Sequence, residues 1–157
     1  MSDIVQRIAM KALIVNKGGK VLILREAATY GDGTQYGRYH LPGGRVVAGE
    51  HFEEALKREV REETGLEIDM QHPIYVGEWR PVIRGVPHQI IGTFFVCSPS
   101  TEDVKLSSEH DDYKWIDPSS RREYDVMDPE DKVLDRFAKV TQEALRKFET
   151  TKPNESL

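Results

Sequence analysis

The sequence predicts an α/β fold, a sandwich built on a mixed sheet. Three observations carry that expectation. Short apolar runs bounded by Gly, Pro and Asp recur along the chain. The stretch 52–64 holds no Pro or Gly and meets a helix stop at Gly65. A second stripe of helical period begins after Asp128-Pro129. Strands interleaved with two helices give layers around a shared core. At 157 residues, the chain reads as one domain over 1–149, large enough to bury a core without staples.

Residues 8–15 and 21–24 read as strands, joined by a turn at Asn16-Lys17-Gly18-Gly19. Residues 27–38 form a polar, glycine-containing loop. Residues 39–41 read as a short strand leading into a turn at Pro42-Gly43-Gly44. Beyond the helix at 52–64, residues 74–80 and 89–96 read as strands, with a turn at Arg84-Gly85-Val86-Pro87. Residues 113–116 make a further strand, ended by Asp117-Pro118. For the second helix, Asp128 suits the N-cap, Pro129 the first helical position, and Asp131 follows three residues after the cap. Val133, Leu134, Phe137, Val140, Thr141, Ala144, Leu145 and Phe148 then form an apolar stripe expected to pack in the core. The tail 150–157, TTKPNESL, is expected to be disordered.

The first helix carries more acid than folding alone would favour. Glu50, Glu53, Glu54, Glu59, Glu62, Glu63 and Glu67 crowd one short stretch. At about 100° per residue with Glu59 at the origin, Phe52, Glu63, Leu56 and Val60 fall at roughly 20°, 40°, 60° and 100°. Glu62 falls at roughly −60°, on the edge of that stripe. Glu54, Lys57, Arg58 and Arg61 take the opposite side. So Glu59 and Glu63 share the apolar face, whereas Glu53, Glu54 and Glu67 read as surface charge. Like charges at i, i+4 cost about 0.2–0.5 kcal/mol when exposed, and partial burial raises that cost. A divalent cation reverses the sign. Clustered carboxylates suit a hard ion, magnesium or manganese. Among Cys and His, only His51 stands within ligand spacing of these acids, so zinc is not expected. The competing reading is a salt-bridged structural helix.

The segment from Gly44 to Leu66 resembles the Nudix box of the Nudix hydrolases (MutT-like). The pattern is Gly, five residues, Glu, seven residues, then Arg-Glu-U-x-Glu-Glu-x-Gly-U, with U aliphatic. Here it reads Gly44, RVVAG, Glu50, HFEEALK, then Arg58-Glu59-Val60-Arg61-Glu62-Glu63-Thr64-Gly65-Leu66, and every fixed position matches. The resemblance implies a Nudix-type α/β/α sandwich. It also implies metal-dependent hydrolysis of a phosphoanhydride bond in a nucleoside diphosphate linked to another group. That class includes nucleoside triphosphates, sugar nucleotides and dinucleotide polyphosphates. Glu59 and Glu63 would be the principal metal ligands and Glu62 a ligand or water-mediated partner. The Gly43 carbonyl would complete the inner shell, and Arg58 would orient the acids through Glu50. Gly43 and Gly44 let the backbone approach a ligand closely.

The element Glu109-His110 before a Trp-containing strand is similar to one found in several Nudix subfamilies. It marks Glu109 as a further metal ligand or general base and His110 as the alternate base. Arg25 is a phosphate-binding candidate or a surface ion pair. Arg38 and Arg45 add positive charge for a phosphorylated substrate. Tyr39, like Tyr30, Tyr36 and Trp79, offers a face for a base or serves as an ordinary sheet or loop aromatic. His40, His72 and His88 carry no spacing signal, and Trp115 reads as core.

The net charge of −5 argues against long nucleic acid, which wants a basic stripe. The single cysteine, Cys97, excludes an intramolecular disulfide and reads as a buried inert thiol. Without a membrane-length apolar run or a secretory signal, a cytoplasmic location is expected. The family is often dimeric, so a homodimer is open. Two other functions compete. An isopentenyl-diphosphate isomerase-like member would need a catalytic Cys near the site, which Cys97 in an apolar strand does not offer. A non-catalytic Nudix ligand-sensing module commonly loses box acids, and this chain has lost none.

Overall fold

In the computed structural model, which describes residues 3–151, the chain opens with strands β1 (Val5–Ile14) and β2 (Val21–Glu26). The Asn16 side-chain oxygen accepts from the backbone N–H groups of Gly18 and Lys20, which closes the turn between them. β1 begins at Val5 rather than Ile8 because its first residues pair in parallel with β7 (Val86–Pro99), from Val5↔His88 onward. These residues are largely exposed, so no apolar pattern announced them.

β3 (Tyr39–His40) and β4 (Gly43–Arg45) follow the loop. The expected turn at Pro42-Gly43-Gly44 is not one: both glycines lie in β4, paired antiparallel with Lys11 and Met10. Gly43 has φ +134°, and a Cβ there would stand 2.2 Å from the Met10 carbonyl oxygen. The glycine serves close backbone approach rather than reversal of the chain.

Helix α1 (Phe52–Thr64) has the predicted bounds, and Gly65 ends it at φ +71° with its N–H on the Arg61 carbonyl. β5 (Ile68–Trp79) starts earlier than the expected residue 74. Register shifts between Met70 and His72 and between Pro73 and Tyr75 break the alternation that would have revealed it. β6 (Val82–Ile83), β7 and β8 (His110–Ile116) complete the strands. A 3-10 helix (Pro118–Glu123), capped by Asp117 on the Ser119 N–H, follows where only a strand end was expected. Helix α2 (Glu130–Thr150) is last.

β4-β1-β7-β5 form a mixed sheet with β6 added to β7, and the β1–β7 pair is parallel. β3-β2-β8 form a smaller antiparallel sheet. Alternation along β1 and β2 divides the core into two layers. Met10, Ala12, Ile14, Leu22 and Leu24 pack with Leu56 and Val60 of α1. Leu13, Val21 and Ile23 pack with Phe94 and with Val133 and Leu134 of α2. The architecture is α/β/α, as expected. Lys11 alternates with the α1-facing residues, and this brings it to Glu130 at the start of α2.

Two expectations for α2 need correction. Pro129, not Asp128, is the N-cap, and Asp128 instead pairs with Lys132 at 2.6 Å. The apolar stripe is core only in its first half: Val133 and Leu134 are fully buried, whereas Leu145 is 59% exposed. Leu134→Ala is therefore expected to cost about 2–5 kcal/mol in urea unfolding, and Leu145→Ala less than about 0.5 kcal/mol. Thr150 and Thr151, expected in the disordered tail, close and cap α2, and the rest of that expectation, 152–157, lies outside the described residues. No described helix is long and apolar enough to cross a membrane.

Candidate active site

α1 presents its acids to the edge where β4 meets β1. Glu63 is buried; its Oε1 accepts from the Gly43 N–H at 3.3 Å, and its Oε2 is buried with no hydrogen-bond partner. The Glu59 carboxyl lies against Gly44, where a Cβ would come within 2.6 Å of it. Glu62 is exposed on the edge of this face. The helical wheel thus separates the acids as the fold does. Glu53 and Glu67 meet Lys57 and Arg61 on the surface.

Arg58 is on the far side of the wheel, but its long side chain reaches round. It forks onto Glu50 with Nη2–Oε1 at 2.7 Å and Nε–Oε2 at 3.1 Å. Its Nη1 donates to Glu59 Oε1 at 3.0 Å and lies 3.4 Å from Glu62 Oε2. Glu50 Oε1 also accepts from the Val47 N–H. The Arg58 fork holds the Glu50 carboxyl below its usual range. Lysine cannot reproduce that fork. Arg58→Lys is expected to lower turnover about 10–100-fold with the thermal midpoint little changed, as loss of a ligand-orienting partner does. Steady-state kinetics beside thermal melts check this.

Glu109 directly precedes β8, and its carbonyl accepts from the Ala27 N–H. Burial pushes its carboxyl up, and Glu59 and Glu62 push it further. Glu63 is raised well above the usual range, first by burial, then by Glu59 and Glu109, against the pull of Lys11. Four carboxylates, Glu59, Glu62, Glu63 and Glu109, therefore meet in one field.

The fold also brings two histidines to Glu63, although only His51 stood near along the chain. His110 Nε2 lies 3.6 Å from Glu63 Oε2 and 2.7 Å from His40 Nε2. His51 itself is exposed before α1. Burial and Lys11 push His110 down to about 4, so it is neutral at physiological pH. Lys11 Nζ sits 3.3 Å from His40 Nδ1 and 3.5 Å from Glu130 Oε1, in a buried pair. Lys11, His40 and Glu130 were missed as site residues. The available signal was a lysine inside the apolar run 8–15, which strand burial alone does not explain.

Of the substrate-binding candidates, Gly44 and Arg45 lie beside the acids on β4. Arg25 pairs instead with Asp111 at 2.7 Å on an exposed surface. Arg38 is tied to Gln35 and Asp125 on the rim of a second cavity. Tyr39 cannot stack on a base: it is 7% exposed, its ring meets Tyr124 edge-on, and its hydroxyl donates to Asp112 Oδ2 at 2.6 Å. Its place in the β3–β2 pair turns the ring into the core. Cys97 is fully buried against the α1 layer, and burial pushes its thiol up to about 12, so it supplies no nucleophile.

Two cavities flank the acids. One, of about 650 Å³, is lined by Glu59, Arg58 and Glu50 with Arg45, Arg7 and Ile8. The other, of about 410 Å³, is lined by His40, Lys11 and Glu130 with Trp79, Arg38 and Met127.

The sequence profile of the NUDIX domain matches residues 5–137. This chain belongs to the Nudix hydrolase family. Within this family it is 32% identical, over 131 residues, to the nucleoside triphosphatase NudI of Klebsiella pneumoniae strain 342, covering 77% of this chain and 89% of that one. The NudI of Escherichia coli O81 is 32% identical over 102 residues, 57% of this chain and 69% of that one. Among solved structures, the MutT protein of Methanosarcina mazei Go1 superposes with a TM-score of 0.79 at 26% identity, over 90% of this chain and 99% of that one. An Ap4A hydrolase of C. elegans shares the fold at a TM-score of 0.65 and 20% identity, over 87% and 98%. The chain is thus a Nudix pyrophosphohydrolase, with the box acids Glu59, Glu62 and Glu63 gathered on α1.

Proposed function

We propose that this Nudix protein hydrolyses a phosphoanhydride bond of a nucleoside triphosphate with magnesium or manganese as cofactor. The observation that carries this is the buried Glu63 Oε2, which has no partner and lies among carboxylates that repel one another. The donor set fits a hard divalent cation: carboxylate oxygens, with Gly43 adjacent. Glu59, Glu62 and Glu63 would hold it, and bound there it supplies the positive charge that a pyrophosphate group needs.

The chain's own residues do the rest. Arg58, anchored on Glu50, keeps Glu59 aimed at the site. Glu109, whose carboxyl is raised by burial and then by Glu59 and Glu62, is the general base that takes the proton from the attacking water. His110 is the weaker candidate because its Nε2 is engaged with His40. The cavity beside His40 and Trp79 takes the nucleoside, and Arg45 faces the departing phosphates from the Glu59 side. Nucleoside triphosphates are the class named for the NudI relatives.

The test is phosphate and pyrophosphate release from a nucleoside triphosphate panel, with magnesium and with a chelator, and products identified by mass. Turnover is expected only with the divalent ion, and Glu59→Gln is expected to abolish it. Equal rates for wild type and Glu59→Gln would sink the proposal.

A further inference from the structure

Outside the box, the polar group most in need of an explanation is the His40–His110 pair. Two imidazoles face each other with Nε2 atoms 2.7 Å apart and ring centroids 4.8 Å apart. Their tautomers can be assigned. His40 Nδ1 meets the Leu41 carbonyl oxygen at 2.8 Å, which only accepts, and Lys11 Nζ at 3.3 Å, which only donates; the shorter, carbonyl contact takes the Nδ1 proton, and Glu130 meets the Lys11 charge. His40 Nε2 is then a bare lone pair facing His110 Nε2. One ligand atom from each of His40, Glu63 and His110 falls within 4.8 Å of the other two. Glu63 Oε2 in this triangle is buried without a partner, and so is His110 Nδ1 on the other edge of its ring.

We propose that His40 Nε2, His110 Nε2 and Glu63 Oε2 form a second cation site, for a zinc-class divalent ion, distinct from the carboxylate centre and sharing only Glu63 with it. Two imidazoles and one carboxylate are a donor set that prefers zinc or cobalt over magnesium. Three protein ligands also leave a position open, and the two Nε2 atoms, 2.7 Å apart across a hydrogen bond, part to about 3.3 Å to share a tetrahedral ion. His40 has its second shell: a ring N–H held by a backbone carbonyl fixes the ligand tautomer, as Leu41 does, whereas His110 Nδ1 has no such partner. The proton that His110 Nε2 shares with His40 must leave when the cation enters, and unpartnered Nδ1 is free to receive it. Lys11, the ammonium that reaches this pair among the described residues, sits on the Nδ1 edge of His40, and Glu130 meets its charge. Entry is open because His40 lines the 410 Å³ cavity. This inference goes beyond the hydrolase reading and does not require it.

The experiment is titration of the purified, metal-free protein with cobalt and then zinc, in excess magnesium. It is read by cobalt visible absorption, and X-ray absorption is recorded on the zinc-loaded wild type. The expected result is one zinc-displaceable cobalt, with two imidazole nitrogens at about 2.0–2.1 Å in the zinc shell. His40→Asn keeps a donor toward Leu41 and deletes Nε2; it and His110→Asn are expected to weaken zinc binding at least about 100-fold. Glu59→Gln is expected to leave zinc affinity unchanged while losing turnover, so the two readings fail separately. An oxygen-only shell in the wild type overturns the inference even if the histidine variants misfold. So does absence of zinc binding, which would reduce the pair to a hydrogen bond, or variants that bind zinc as the wild type does.

Discussion

Glu63→Gln is expected to lower kcat by at least about 100-fold and, at the same time, to raise the melting temperature of the metal-free protein at pH 8. The first effect follows from removing a direct ligand, since outer partners of metal sites already cost about 10–100-fold. The second follows from the sign of the Glu63 shift. Its carboxyl is raised above 4.5 by burial first, with Lys11 opposing and Glu59 and Glu109 adding. A raised carboxyl contributes full stability below pH 4.5 and loses it as pH rises through the folded value. Glutamine stays neutral, so the advantage of the variant opens as pH climbs above 4.5. Each kcal/mol corresponds to about 2–4 °C in a chain of this size. Added magnesium is expected to reverse the order, because only the wild type keeps the full ligand set. Differential scanning calorimetry at pH 5 and pH 8, with and without magnesium, measures both signs. A variant less stable than wild type at pH 8 without metal contradicts the argument.

Gly43→Ala is expected to cost about 3 kcal/mol or more in unfolding free energy. A Cβ at Gly43 meets the Met10 carbonyl oxygen at 2.2 Å and Lys11 Cα at 2.7 Å, all backbone, so no side chain can swing away. The φ of +134° adds strain for any L side chain. Because β4 is an edge strand pinned to β1 at this residue, the alanine also shifts Gly44 away from Glu59. Gly49→Ala is the control: φ is +93°, but nothing lies within 4 Å of its Cβ, so only the conformational cost of about 1 kcal/mol is expected. Equal urea midpoints for the two variants would show that close approach is not what Gly43 provides.

Legibility varied with the range of the interaction. α1 was read to the residue because its cause is local: a clean helical window, an apolar stripe and a glycine stop. β5 was cut short because two bulges and Pro73 erase alternation, and bulges are set by the partner strand. The 3-10 helix after Asp117 was missed although Asp117 caps it through Ser119, since Asp-Pro reads equally as a strand end. The second half of α2 was assigned to the core because periodicity reports which residues share a face, not whether anything covers it.

The amino-acid sequence by itself determined the family, the box and the inward turn of Glu59 and Glu63, because all of these rest on spacing within one short segment. The resemblance also implied the pairing of Arg58 with Glu50, eight positions apart. Only the tertiary structure decided what else meets those acids. Tyr39 went to the core and Arg25 to Asp111, while His40, His110, Lys11 and Glu130 arrived from four separate elements or their edges. The physical reason is that strand pairing fixes a register between distant segments. The β2–β3 and β2–β8 registers bring His40 and His110 together across 70 positions of chain. No local pattern encodes that distance.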